Sequence, residues 1–179
     1  MGADHDYTRD AALREVAPLA AEIAALSPDV DPEEAARAAR IALTYPLQLR
    51  AEYEVADSPL VHNTKVNMGL KPRGLCKHWA EDMEDRLAAE GFQTLDLHRA
   101  IANADTARIE HSTVIVSARG DGLYDGIVLD PWRFGGDLYW GATTADEDYP
   151  WLPRPAAFRA RRDREEAKDL LAIGTRESL

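Results

Sequence analysis

The sequence holds a single cysteine, an excess of acidic over basic residues, and no long apolar run. One cysteine excludes an internal disulfide, so the chain shows no dependence on an oxidising compartment. We expect no membrane span, and the N-terminus lacks the basic and apolar regions of a signal peptide. A signal removed before Met1 would place the protein in the periplasm or cell envelope; otherwise we expect a cytoplasmic protein.

The charge balance bears on the kind of partner. Lys and Arg number 21 and Asp and Glu 32, which gives a net charge of −11. Such a surface repels a polyanion, so we expect no nucleic-acid partner. The arginines over 159–164 alternate with acidic residues, which is typical of a solvated helix. A length of 179 residues with 45% hydrophobic residues predicts a single domain over 1–179.

Apolar spacing predicts helices in the first half of the chain. N-terminal helices are expected over 8–55, the second of them reaching Pro46 and resuming after it. Turn-forming residues over 57–74 predict an ordered loop without long regular elements. A third helix is expected over 75–90, where Gly91 ends it.

Beyond Gly91 the apolar pattern changes to short, alternating or continuous segments bounded by turn residues, which is typical of strands. The chain therefore predicts an α+β domain, with N-terminal helices, a catalytic core over 70–141 and an antiparallel sheet. The expected strands are 92–101, 109–118 and 124–130, followed by a hairpin over 133–140 and a charged helix over 155–174.

Cys76 lies where a thiol can be activated. It follows Gly74-Leu75 and begins a helical pattern, so its sulfur is expected at a helix N-terminus. Most lone cysteines are small buried hydrophobic residues. At a helix N-terminus, however, unpaired N–H groups and the positive end of the dipole favour the thiolate, which attacks carbonyl carbons. Cys76 is therefore the candidate nucleophile.

A nucleophilic thiol needs a base, and that base needs an orienting acceptor. The available histidines are His5, His62, His78, His98 and His111. His5 lies in the polar leader, and His78, two residues after Cys76 on the same helix, points away from it. His62 and His98 stay open as alternatives, while His111 has the stronger argument.

That argument is one of strand register. The turn signal Gly120-Asp121 lies midway between His111 and Asp130, so a hairpin about this turn sets the two residues directly opposite. Opposed side chains share a face about 5 Å apart at Cβ, close enough for an imidazole N–H to reach a carboxylate. We expect this face to pack against a helix. The alternative for Asp130 is a cap on the turn into Pro131.

These residues together resemble the transglutaminase-like core of the papain-like cysteine peptidase superfamily. The resemblance covers about residues 70–135 and rests on Arg73-Gly74-Leu75-Cys76 opening a helix, a Gly-ended helix leading into a strand, His111 in the next strand and Leu129-Asp130-Pro131 ending the one after. The family often follows its histidine with an aromatic and an acidic residue, whereas Ser112-Thr113-Val114 follow here.

The resemblance implies Cys76 as nucleophile, His111 as base and acid, and Asp130 as its orienting group, in acyl transfer from an amide or ester. It implies a peptide or protein substrate, and we expect hydrolysis of a peptide or isopeptide bond in preference to transfer of the acyl group to an amine. No cofactor and no metal are expected. Two alternatives stay open: arylamine-type acetyl transfer with the same residue types, and a catalytically silent binding module that keeps the fold.

An oxyanion hole needs hydrogen-bond donors, and the Cys76 backbone N–H supplies the first. Asn67 is a candidate for the second, with Asn63 beside it, although both also fit ordinary turn hydrogen bonds. The segment after Asp130 is rich in aromatic residues, which belong either to the core or to the rim of a cleft. They are Trp132, Tyr139, Trp140, Tyr149 and Trp151. Arg133 lies among them and is a candidate for orienting the polar end of a substrate.

Overall fold

The computed structural model describes residues 2–104, 106 and 108–176, with side chains for 8–104, 106 and 108–169. Within these ranges the protein is α+β. The helices are α1 Gly2–Ala24, α2 Pro32–Glu52, α3 Pro59–Asn67, α4 Cys76–Ala88 and α5 Arg154–Arg176. The strands are β1 Leu95–Ala102, β2 His111–Ala118, β3 Ile127–Phe134, β4 Asp137–Ala142 and β5 Leu152–Pro153.

The strands form one antiparallel sheet in the order β4-β3-β2-β1-β5. The expected strands correspond to β1, β2 and β3, and the expected hairpin is the β3–β4 turn. Gly135 and Gly136 close this turn in the left-handed region, with φ of 63° and 114°, where glycine has no Cβ to clash. Their N–H groups donate to the carbonyls of Trp132 and Pro131.

Prolines do not end the two N-terminal helices. Asp31 caps α2 by accepting from Glu33 N at 2.8 Å, and Pro32 takes the first helical position, where its missing N–H costs nothing. The expected interruption at Pro46 is wrong, because α2 runs through it to Glu52. Pro46 is buried in the packing of α2, and this tertiary packing outweighs the local hydrogen bond that a proline removes.

The expected loop over 57–74 is also wrong in its first half, because α3 occupies Pro59–Asn67. Pro59 fits the first turn of a helix. Asn63 does not compete for the backbone, since its Oδ1 accepts from Trp132 Nε1 at 3.1 Å. Gly69, with φ of 73°, then turns the chain after the helix.

The sheet buries a cluster on each face. The main core lies between α1, α2, α4 and the face that carries Val114, Val116 and Leu129. The opposite face carries Ile115 and Val128, which pack with four other buried residues, Ala100, Ala102, Leu123 and Trp151. Within the part of the chain that the structure describes, no helix combines the length and apolar character needed to cross a membrane.

Helix α5 covers the β1 side of the sheet. Ala157 and Phe158 pack with Ile101 and Ala104, while the arginines of the helix whose side chains are described lie at the surface or bond neighbouring residues. One of them, Arg161, pairs with Glu110, the residue before β2. The charged helix expected over 155–174 is therefore present, one residue earlier at its start.

Candidate active site

Cys76 is the first residue of α4, directly after the N-cap position at Leu75. Its side chain is half-buried and packs beside a cluster that includes Trp79 and Trp132. The Sγ atom lies 3.8 Å from the main-chain oxygen of Glu110, which accepts from the thiol. The sulfur therefore sits at the positive end of a 13-residue helix, against the residue that precedes β2.

The loop before Cys76 is held by three side chains. His62 Nε2 donates to Arg73 O at 2.8 Å, and Trp79 Nε1 donates to Gly74 O at 3.0 Å. His78 Nδ1 accepts from Gly74 N at 3.2 Å and from Leu75 N at 3.3 Å. These bonds fix the entry into α4 and so fix where the sulfur points.

Gly74 is required in this loop for two reasons. Its φ of 123° is accessible to glycine and strained for other residues. In addition, a Cβ at Gly74 would overlap the imidazole of His62, which is buried beneath the loop. The Gly-x-Cys motif therefore has a packing origin in the contact between Gly74 and His62.

The other histidines have structural partners instead of a contact with the thiol. His62 and His78 hold the loop, and burial, followed by Arg73 and Lys77, lowers the pKa of His78. His98 Nε2 lies 2.8 Å from Ser117 Oγ on the sheet. The side chain of His5 lies outside the described residues.

His111 and Asp130 are in contact. His111 Nε2 and Asp130 Oδ2 are 2.6 Å apart, and both side chains are fully buried. The expected register is nevertheless wrong by two residues, because Val114 pairs with Leu129 where the hairpin about Gly120-Asp121 would pair it with Ile127. The loop is longer, with a 3-10 turn at Leu123–Asp125. A shift of two residues keeps the same face, since side chains alternate with period two, so the pair meets diagonally.

An irregularity in β3 completes the environment of Asp130. The pairing with β4 shifts between Asp130 and Phe134, which releases backbone N–H groups from the ladder. Two of these, Trp132 N and Arg133 N, donate to Asp130 Oδ1 at 3.1 and 3.3 Å, and Arg133 Nε donates to Oδ2 at 3.1 Å. Asp130 thus caps the turn, as the alternative interpretation had it, and binds His111 at the same time.

The remaining nitrogen of His111 is left for the thiol. With Nε2 bound to Asp130, the lone pair of Nδ1 is free in the neutral tautomer. Nδ1 is buried and has no hydrogen-bond partner among the described residues. Burial alone would lower the pKa of His111, but the Asp130 carboxylate, its hydrogen bond and the proximity of Cys76 raise that pKa to about 9. The imidazolium is therefore the favoured form at neutral pH.

Aromatic rings enclose the imidazole. The ring centroids of Trp132, Tyr149 and Trp151 lie 4.6, 4.5 and 5.3 Å from that of His111. These rings exclude water from the His111–Asp130 hydrogen bond and strengthen it. The expectation that this face packs against a helix is wrong, because Ile115 on the same face packs with Trp151 while α4 covers the opposite face. Cys76 still approaches His111, because its Sγ contacts the main-chain oxygen of Glu110, the residue before His111.

The two asparagine candidates differ in position. Asn67 is the exposed last residue of α3, and its side chain makes no hydrogen bond within the described parts of the chain. Asn63 is joined to the site, because its Oδ1 holds Trp132, which packs on His111. Its amide nitrogen stays available as a donor.

Behind Asp130 lies a second ion pair, which sequence reasoning did not identify. The Arg133 guanidinium binds Asp146 through Nη1 at 3.3 Å and Nη2 at 2.7 Å. Arg133 is thus engaged by two buried carboxylates and also lines an open cavity next to Tyr149, so its role in orienting a substrate stays a prediction. Asp146 lies in the acidic run 146–148, where nothing in the sequence separates a buried carboxylate from solvated ones.

An open cavity of about 430 Å³ adjoins the site. Its walls include Ile109, two residues before His111, together with Phe134 and Tyr149, and both Ile109 and Phe134 are largely exposed. Polar residues at its margin are Asn103, Arg108, Arg133 and Asp148. The cavity offers apolar contact and a charged rim, and it is linked to the histidine through Tyr149, whose ring packs on His111.

The chain was compared with protein-family models, with curated proteins and with solved structures, and none of them matches it.

Proposed function

We propose that the protein is a thiol-dependent acyl-transfer enzyme that hydrolyses an amide bond, of peptide or isopeptide type, through Cys76, His111 and Asp130. The observation that carries this proposal is the arrangement about His111. One ring nitrogen binds a buried carboxylate at 2.6 Å, and the other is left unpaired beside a thiol at a helix N-terminus. His62 Nδ1 is likewise buried without a hydrogen-bond partner among the described residues, but His62 bonds a main-chain carbonyl, whereas His111 combines a buried carboxylate on one nitrogen with a thiol beside its ring.

Acylation starts from the thiolate–imidazolium pair, in which the proton of the Cys76 thiol is already held on His111 Nδ1. The thiolate attacks the carbonyl carbon of the substrate, and a C–S bond forms. The imidazolium then gives its proton to the leaving amine nitrogen, the C–N bond breaks and a thioester remains. Because the pKa of His111 is raised to about 9, the imidazolium is available for this donation at neutral pH.

Deacylation reverses the proton path. His111 accepts a proton from a water molecule, whose oxygen attacks the thioester carbon. The C–S bond breaks, a carboxylic acid is released, and Cys76 leaves as thiolate beside the imidazolium, which restores the starting pair. An amine in place of water would give acyl transfer by the same path. Asp130 holds the ring in one tautomer and orientation through both steps.

Stabilisation of the oxyanion requires donors near the attacked carbon. The Cys76 backbone N–H is the first donor, as the leading N–H of α4. For the second we favour Asn63 over Asn67, because Asn63 is tied to Trp132 and through it to His111, whereas Asn67 is exposed and has no such link.

The cavity beside His111 fits the leaving-group side of an amide substrate. A histidine that protonates the leaving amine must have that amine next to it, and Ile109 and Tyr149 line the cavity on that side. Exposed Ile109 and Phe134 favour an apolar group there, and the net charge of −11 favours a neutral or cationic substrate.

Activated acyl esters test the proposal without knowledge of the natural substrate. The wild-type protein should release the leaving group of p-nitrophenyl acetate in a burst and gain one acetyl group at Cys76 by mass spectrometry. Cys76→Ser and His111→Gln should lose the burst.

The matched control for the histidine variant is His98→Gln, which removes a partly buried imidazole whose Nε2 bonds Ser117. It should keep the burst. A wild-type protein that forms no acyl adduct would instead support the catalytically silent binding module.

A further inference from the structure

A chain of alternating charges continues from the proposed site into the protein. Asp130 Oδ2 binds both His111 Nε2 at 2.6 Å and Arg133 Nε at 3.1 Å. The opposite edge of the same guanidinium binds Asp146 through two nitrogens. Asp146 Oδ2 also accepts from Trp151 Nε1 at 2.8 Å, and Trp151 is one of the rings that enclose His111.

This chain is rigid and shielded from water. The side chains of Asp130, Arg133 and Asp146 are 0%, 9% and 1% exposed. The guanidinium carbon lies close to two aromatic rings, 3.6 Å from the centroid of Tyr139 and 4.7 Å from that of Tyr149. Because this planar group is bonded to both carboxylates and lies against aromatic rings, it holds Asp130 in one orientation, with Oδ2 directed to His111.

The charges explain why both Arg133 and Asp146 are needed. Arg133 alone would place a second cation against the oxygen that serves His111, and it would oppose protonation of the imidazole. Asp146 neutralises that cation. Burial by itself would raise the pKa of Asp146, but hydrogen bonds from Arg133 and Trp151 lower it, so its charge is present at neutral pH. With His111 protonated, the four groups sum to zero charge.

We propose that Arg133 and Asp146 are positioning residues: Arg133 fixes the Asp130 carboxylate, and Asp146 cancels the charge of Arg133 so that Asp130 stays free to stabilise the His111 imidazolium. Only the effect of these two residues on catalysis rests on the proposed function. Their effect on the protonation of His111 does not depend on it.

Other charged or titratable groups near the imidazole must be separated from this effect. Cys76 faces it from α4, Tyr149 packs on its ring, and Glu110 precedes it but is paired with Arg161. Asp148 contacts Arg133 Nη1 at 3.6 Å, yet its side chain is 78% exposed, so solvent screens it. Asp148→Asn is therefore a matched control for Asp146→Asn, with the same cation as partner and no burial.

The experiment follows the imidazole of His111 by NMR as a function of pH, in ¹³C-histidine-labelled protein, with the resonance assigned from His111→Gln. Asp146→Asn should lower the titration midpoint by on the order of one pH unit, because Arg133 is left uncompensated. Arg133→Gln should raise it, and Arg133→Lys, which keeps the charge, should stay near wild type. Asp148→Asn should leave it unchanged. Thermal melts check that each variant is folded.

Opposite shifts in Asp146→Asn and Arg133→Gln are the signature of charge compensation, because simple loosening of the site would move both in the same direction. A fall of the titration midpoint in both variants, or no fall of the midpoint in Asp146→Asn, would overturn the inference. If Asp146→Asn does not fold, a rise in Arg133→Gln with Arg133→Lys near wild type supports it, and a fall or no change in Arg133→Gln overturns it. Opposite shifts in a protein whose thiol forms no acyl adduct would refute only the proposed function.

Discussion

The buried pair of His111 and Asp130 makes the stability of the fold depend on pH in a defined direction. The pKa of His111 rises from its ordinary value of 6.5 to about 9 in the folded protein. The native state therefore holds this proton more tightly than the unfolded chain does. The resulting stabilisation is fully present below about pH 6.5 and is lost as the pH rises through about 9.

The magnitude follows from the size of the shift. Each pKa unit corresponds to about 1.4 kcal/mol, so a shift from 6.5 to about 9 contributes about 3 kcal/mol. Solvent screening does not reduce this figure much, since the two side chains are 1% and 0% exposed. The contribution is a property of His111 together with Cys76 and Asp130, because the three groups interact. It is a large share of the free energy of unfolding of a domain this size.

Urea unfolding measures this contribution, with tryptophan fluorescence as the signal, between about pH 6 and about pH 10. The free energy of unfolding of wild type should fall by about 3 kcal/mol more across this range than that of His111→Gln, which lacks the titrating group. His98→Gln serves as the control, and its free energy of unfolding should change with pH as that of wild type does. Parallel slopes for wild type and His111→Gln would refute the reasoning, since they would show that folding does not shift the pKa of His111.

Two further substitutions test the site and its support. Asp130→Asn should keep the fold by circular dichroism yet slow acyl-adduct formation by at least about a hundredfold, because the amide favours the wrong tautomer of His111; wild-type rates would show that Asp130 acts only as a cap. Gly74→Ala should lower the melting temperature and slow alkylation of the cysteine, because its Cβ overlaps His62 and its φ of 123° is strained. Gly69→Ala, with positive φ but open space around the Cβ, is the matched control, and an equal effect in both would exclude the overlap with His62 as the cause.

The contact between His111 and Asp130 was predictable from sequence because it depends on alternation. The predicted register was off by two residues, yet the pair still shares a face, since only an odd shift exchanges the faces of a strand. The start of α4 at Cys76 was likewise predictable, because a glycine followed by helical periodicity is a local signal. Local sequence signals therefore identified Cys76, His111 and Asp130 even though the predicted loop between β2 and β3 was too short.

What sequence reasoning missed depends on contacts between distant segments. Helix α3 forms despite its turn residues because Asn63 is held by Trp132, which lies far along the chain. His62 was weighed as a base, but it supports the loop at Arg73. Asp146 carries no local mark that separates it from its acidic neighbours, and its burial follows from the path of the chain after β4.

The pH dependence of Cys76 alkylation by iodoacetamide tests the central claim most directly. If the thiol and His111 form a thiolate–imidazolium pair, the wild-type protein should react at mildly acidic pH, below the titration of a free thiol at about 8.5. In His111→Ala the helix N-terminus remains but the cation is gone, so the alkylation midpoint should move to higher pH. Identical profiles for the two proteins would mean that His111 does not act on Cys76, and they would contradict the proposed triad.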